Sequence, residues 1–133
     1  MITFISSGRL ELYKFTEPTA EREEWYTFEA RVERGGVQAR LRISDLGPER
    51  LAAFFGSAAD VLGAERDLHW EALEGGLLMT CRTERTGRML LTVRLKADEA
   101  GGWEVAAAFE VGAEQCREAA AALRRWMSGW SAG

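Results

Sequence analysis

The chain has 133 residues, a length that suits one domain able to bury most of the surface its unfolded form exposes. Hydrophobic residues make up 47% and charged residues 29%, the balance of an ordinary globular protein and not of a disordered or fibrous one. The formal net charge of -4 argues against a general nucleic-acid binder, so no nucleic-acid partner is expected.

Residues 9–15, Arg-Leu-Glu-Leu-Tyr-Lys-Phe, read as a first short strand. Residues 16–23 form a polar loop with Pro18. The strongest pattern follows, from Glu24 to Ile43. Tyr26, Phe28, Ala30 and Val32 alternate with Thr27, Glu29, Arg31 and Glu33. Beyond Gly35-Gly36, Val37, Ala39, Leu41 and Ile43 alternate with Gln38, Arg40 and Arg42. Period two on both arms predicts two strands, each with one buried face. Gly-Gly tolerates the positive φ of a two-residue hairpin turn. Closing it there pairs Val32 with Ala39, Ala30 with Leu41 and Phe28 with Ile43, all apolar and all on one side.

Past Ile43 the period changes. Leu46-Gly47-Pro48-Glu49 is a helix start, with proline at the first helical position and an acid near the positive end of the dipole. Leu51, Phe54, Phe55, Ala58, Val61 and Leu62 follow helical spacing, and Gly63 is a stop. Four strands are then expected. They run from Asp67 to Leu73, from Leu77 to Glu84, from Met89 to Lys96 and from Trp103 to Val111. A tight turn at Gly75-Gly76 would set Trp70 against Cys81 and Ala72 against Met79. A last helix begins near Ala113, with Cys116, Ala119, Ala120, Leu123, Trp126 and Met127 on one stripe. No internal repeat is visible.

The order β-ββ-α-ββββ-α predicts a single α+β domain over residues 1–133. It would have two layers, an antiparallel meander of about seven strands with both helices packed on its one apolar face. Cys81 and Cys116 make no metal-ligand spacing and no disulfide framework, and both fall on apolar faces. They read as reduced, buried thiols. The first eight residues lack the basic start and the apolar run of a signal peptide, and no stretch approaches a membrane span. A cytoplasmic location and no membrane partner are expected.

No catalytic set emerges. His69, the one histidine, points to the polar side with Glu71 two residues on, but alternate residues on one strand do not aim at each other. The glycine pairs all stand between alternating runs, where turns need them, and no phosphate-loop pattern occurs. The carboxylates are scattered, so neither metal nor cofactor is expected.

The polar sheet face carries Glu29, Arg31, Arg40, Arg42, His69, Glu71, Thr80, Arg82, Thr92 and Arg94. One reading is a solvated face with weak cross-strand ion pairs such as Glu29 to Arg42. The other is a partner surface, since arginine is enriched at interfaces. Arg31 opposite Arg40 is mildly repulsive, and an acidic partner would relieve it. Of the five tryptophans, Trp70 and Trp126 fit the core, Trp103 starts a strand on the inward side, and Trp130 lies in the tail. Trp25 points to the polar face as a candidate anchor. The candidate partner-binding residues are therefore Trp25, Arg31, Arg40, Arg42, Arg82 and Arg94.

As a whole the chain resembles a group of small single-domain bacterial proteins, and it is similar in layout to the WapI-type immunity proteins, which neutralise a toxin in the producing cell. The shared pattern is a strand-rich first third ending in a helix like Leu51–Leu62, then strands near Trp70–Leu77, Leu90–Lys96 and Trp103–Phe109, then a helix like Glu114–Met127. The resemblance brings no catalytic or ligand residue. It implies a non-enzymatic protein-binding domain with a protein toxin as partner. The alternative is a small-molecule-binding or enzymatic domain with a pocket between sheet and helices. An open meander also has free edges. The Trp103–Val111 strand, with Ala106 and Ala108 outward, is a candidate for pairing in a homodimer.

Overall fold

Alternation on either side of Gly35-Gly36 builds the centre of a first antiparallel sheet. A computed structural model of the chain describes residues 1–19, 25–60, 66–84, 86, 88–98 and 102–129. Strands β1 (Ile2–Ile5), β2 (Arg9–Thr16), β3 (Trp25–Arg34) and β4 (Val37–Leu46) pair in that order. Gly35 and Gly36 take φ of 58° and 81°, the left-handed pair that a two-residue hairpin turn requires. Val32 opposes Ala39, Ala30 opposes Leu41 and Phe28 opposes Ile43, as that turn dictates. Tyr26, Phe28, Ala30 and Val32 are buried, with Leu10 and Leu12 of β2 and Ile2 and Phe4 of β1.

β2 carries one extra residue. Tyr13 opposes Glu29 but Thr16 opposes Thr27, and Lys14 takes a φ of 52°. This bulge shifts the phase of the strand. Leu10 and Leu12 lie in the core, and then Phe15 rather than Lys14 packs against it. Phe15 stacks on Phe28 with ring centres 5.0 Å apart.

Helix α1 (Glu49–Asp60) buries Leu51, Ala52, Phe54, Phe55, Ala58 and Ala59. Its expected continuation through Val61 and Leu62 to Gly63 lies outside the described residues. Strands β5 (Arg66–Glu71), β6 (Leu77–Thr83), β7 (Met89–Lys96) and β8 (Glu104–Val111) form a second antiparallel sheet in that order. Helix α2 (Ala113–Ser128) follows and buries Cys116, Ala119, Ala120 and Leu123. The Gln115 side chain accepts from the Gly112 N–H at 2.8 Å, fastening its start.

The α+β class, the antiparallel pairing and the two helices stand as expected. The single meander does not: among the described residues eight strands form two sheets of four. β1 offers only two buried residues, Ile2 and Phe4, too few to register as alternation. The sheets separate because α1 intervenes between β4 and β5. Its twelve residues carry the chain about 18 Å, so β5 does not return to the β4 edge. The β5–β6 turn meets β4 instead. A Cβ on Gly76 would lie 3.3 Å from Leu41 Cδ2 and 3.4 Å from Ile43 Cδ1, so this contact suits glycine. Each half therefore has the same order, four strands and then a helix, although the sequence shows no repeat.

The helices also depart from the expected arrangement, since each touches both sheets. Phe55 of α1 stacks on Phe4 of the first sheet at 5.7 Å, while α1 runs beside β5 of the second. Trp126 of α2 packs 5.2 Å from Phe15 and 6.0 Å from Tyr26 in the first sheet. On the other side Cys116 of α2 and Cys81 of β6 are buried in the same hydrophobic cluster. Phe28 and Trp70, with ring centres 6.4 Å apart, join the sheets directly. The inward residues of both sheets and both helices form one hydrophobic cluster.

The β5–β6 register differs from expectation by two residues. Trp70 opposes Met79 and Leu68 opposes Cys81. The connection holds four residues, Leu73 to Gly76, closed by the Ala72 N–H donating to the Leu77 carbonyl at 3.0 Å. A shift of two keeps every side chain on its face, so the inward set is unchanged. Among the described residues no helix is long and apolar enough to cross a membrane.

Candidate functional site

The six candidate partner residues do not share one face, because the sheet that was to carry them is two sheets. Trp25, Arg31, Arg40 and Arg42 lie on β3 and β4, and Arg82 and Arg94 on β6 and β7. On the second sheet the cations are matched in cis. Arg82 Nε lies 4.0 Å from Asp67 and Arg94 Nε lies 3.0 Å from Glu104. These are exposed cross-strand pairs of small energetic weight. Trp25 is half-buried at the start of β3, opposite Leu46.

The first sheet is different. Arg31 opposes Arg40 in register, as expected. Arg31 is held by its own neighbours, 3.8 Å from Glu11 and 3.4 Å from Glu33, and the Gln38 amide oxygen can accept from its Nε. The repulsion is thus relieved from within at Arg31. Arg40 and Arg42 are exposed, and among the described residues neither makes an ion pair. Glu29 stands opposite Arg42 in register, but the two do not form the expected pair. β4 is the edge strand of its sheet, so two solvent-facing guanidiniums line an accessible margin. Arg40→Ala is expected to change stability by no more than about 0.5 kcal/mol, since nothing is built on that side chain. Chemical denaturation checks this, and a larger loss would mean that the face is covered.

His69 lies on the exposed side of β5. Its Nδ1 is 3.2 Å from Thr80 Oγ1, so its ring partner is a hydroxyl and not Glu71. The Glu71 carbonyl serves elsewhere, accepting from Arg50 Nη2 at 3.0 Å. Among the described residues no group of three or more His, Cys, Asp or Glu could hold a metal ion.

The densest polar cluster was not foreseen. Asp45, fully buried at the end of β4, accepts from the Tyr26 hydroxyl at 2.8 Å, from Arg50 Nη1 at 3.1 Å and from the Leu73 N–H at 2.9 Å. One carboxylate thus ties β3, the first turn of α1 and the β5–β6 loop. Burial, then the Asp45 charge and its hydrogen bond, raise the Tyr26 phenol far above its ordinary range, with Arg50 acting the other way. The Arg50 guanidinium also lies 5.9 Å from the Trp70 ring centre. The signal was in the alternation. Asp45 takes the inward phase after Ala39, Leu41 and Ile43, and a buried carboxylate requires partners.

Two clefts adjoin α2. One of about 480 Å³ is lined by Ile2, Thr3, Glu118, Ala119 and Arg125, among others. The other, of about 250 Å³, has Lys14, Phe15, Leu123 and Trp126 in its walls. A third, of about 350 Å³, lies between the β3–β4 hairpin and the unpaired edge of β8, with Val37 and Ala106 in its walls.

A model of a family of unknown function, DUF6228, matches residues 5–129. The chain belongs to the DUF6228 family. No curated protein matches it.

Both cysteines of this DUF6228 chain are free and buried, as their apolar positions predict. Burial pushes the Cys81 thiol up to about 11 and the Cys116 thiol to about 12, with Cys81 adding to the second shift. A raised folded value means that the folded state holds its proton more tightly than the unfolded state, whose thiols titrate near 9.0. The stabilisation is complete below that pH and is lost as pH rises through the folded values. Stability measured by urea denaturation should therefore fall between pH 9 and pH 11, more steeply than in a Cys81→Ala/Cys116→Ala variant. Equal slopes would contradict this.

Proposed function

We propose that this chain is a non-enzymatic protein-binding domain whose contact face is the outward side of β3 and β4. In its sharpest form it is a cytoplasmic immunity protein that neutralises a toxin. The observation that carries the reading is the pair of exposed arginines, Arg40 and Arg42, unpaired among the described residues on an edge strand of a chain whose net charge is -4. Cations left free beside Arg31 favour an acidic surface on the partner, and arginine loses little on being buried against carboxylates in a bidentate fork. The resemblance of the sequence pattern to WapI-type immunity proteins motivates the toxin as partner. Co-expression with a toxin encoded beside its gene is expected to give a complex that co-purifies and a host that survives. A purified chain that instead turns over a small metabolite would contradict the reading.

A second reading is a ligand-binding domain with its pocket between sheet and helix. The clefts between β1, β2 and α2 favour it, because their floor joins the hydrophobic core to solvent. The unpaired edge of β8, with Ala106 and Ala108 exposed, also supports a two-fold dimer through that strand. Sedimentation should then show a dimer that Ala106→Lys or Ala108→Lys disrupts. A monomer that persists through an about tenfold rise in concentration would remove it.

A further inference from the structure

The smaller cleft beside α2 has a simple chemistry. Among the described residues its 250 Å³ is lined by one charged side chain, Lys14, and by six apolar ones, Phe15, Leu123 and Trp126 among them. We propose that this cleft binds a small hydrophobic monocarboxylate. The carboxylate would sit at Lys14, and the aliphatic or aryl body against Ile2, Phe15, Leu123 and Trp126. The proposal rests on the second reading above and gives it a ligand class.

Three features of the site favour that class. Ile2 and Leu123 are buried and make an apolar floor, while Phe15 and Trp126, 5.2 Å apart and tilted by 54°, offer partly exposed aromatic walls. An apolar body gains by covering such surface. Lys14 is exposed, with its ammonium 5.9 Å from the Tyr13 ring centre, and among the described residues it makes no ion pair. It can take up an anion without breaking a pair. The third feature is the backbone. Lys14 holds a left-handed φ of 52° at the bulge, a conformation that costs a lysine energy and a glycine almost none. The bulge that seats Phe15 against Phe28 and Trp126 also places Lys14 in the lining of the cleft. The adjoining larger cleft shares Met1, Ile2 and Ala122 but carries both Glu118 and Arg125, so it selects neither sign of charge. The smaller cleft selects an anion.

The test is calorimetric titration of the whole chain with octanoate and with octanamide, which has the same tail and no charge. Octanoate is expected to bind saturably, and octanamide about three- to fivefold more weakly, the size of an exposed ion pair. Lys14→Gly suits the left-handed backbone and so keeps the fold, which a thermal melt verifies. It should weaken octanoate by the same factor and leave octanamide unchanged. Ala122→Trp should fill the cleft and abolish both. Equal binding of the two probes, or octanoate binding unaffected by Lys14→Gly or by Ala122→Trp, overturns the proposal while a ligand-binding cleft remains. Failure of both probes to saturate overturns the proposal and leaves the second reading to rest on the larger cleft alone.

Discussion

Asp45→Ala is expected to cost about 2–5 kcal/mol in urea denaturation, a large share of the stability of a domain this size. The loss comes from the donors left behind. The Tyr26 hydroxyl is buried and has no second acceptor among the described residues, and the part-buried Leu73 N–H depends on the same carboxylate. Each stranded donor costs about 1–3 kcal/mol. Arg50 contributes less, because its side chain is half exposed and recovers water when the carboxylate is gone. Asp45→Asn should cost less than Asp45→Ala, since an amide oxygen can still accept from Leu73. Tyr26→Phe, which removes one donor and strands no other, should cost about 1 kcal/mol. A change within about 0.5 kcal/mol for Asp45→Ala would mean that the loop between β5 and β6 is held by packing alone.

The second large effect is expected at Phe28. Its ring stacks on Phe15 at 5.0 Å and Tyr26 at 5.8 Å, and it meets Trp70 across the sheets at 6.4 Å. Phe28→Ala removes a buried ring from the point where both sheets join. The loss should fall in the upper part of about 2–5 kcal/mol, because its three aromatic neighbours cannot collapse into the space without breaking the β3–β4 register. Leu123→Ala on α2 empties a smaller volume and should fall lower in the same range. Equal losses at the two sites, measured by the same denaturation, would contradict the role given to Phe28.

Much of the fold was legible because local signals agreed. The period-two arms around Gly35-Gly36 fixed the β3–β4 pairing to the residue, and the stripe from Cys116 to Met127 fixed the buried face of α2. What escaped depends on contacts distant in sequence. Nothing local to β4 or β5 says that they do not pair, since the break follows from where α1 takes the chain. The Lys14 bulge is invisible to alternation because it is an exception to alternation. The β5–β6 loop is longer than Gly75-Gly76 suggests because Leu73 donates to Asp45, 28 residues earlier. Arg82 and Arg94 looked available for a partner until the register set them beside Asp67 and Glu104. Arg40 and Arg42 remained.

Those two arginines carry the proposed function, so charge reversal there tests it most directly. The double variant Arg40→Glu/Arg42→Glu should melt close to the unaltered chain, because both side chains are exposed and a glutamate opposite Arg31 offsets one opposite Glu29. Calorimetry with the proposed toxin partner should then show binding weakened by about tenfold or more, with a slower association rate at low salt. An affinity unchanged by the double reversal would contradict the assignment of this face to the partner.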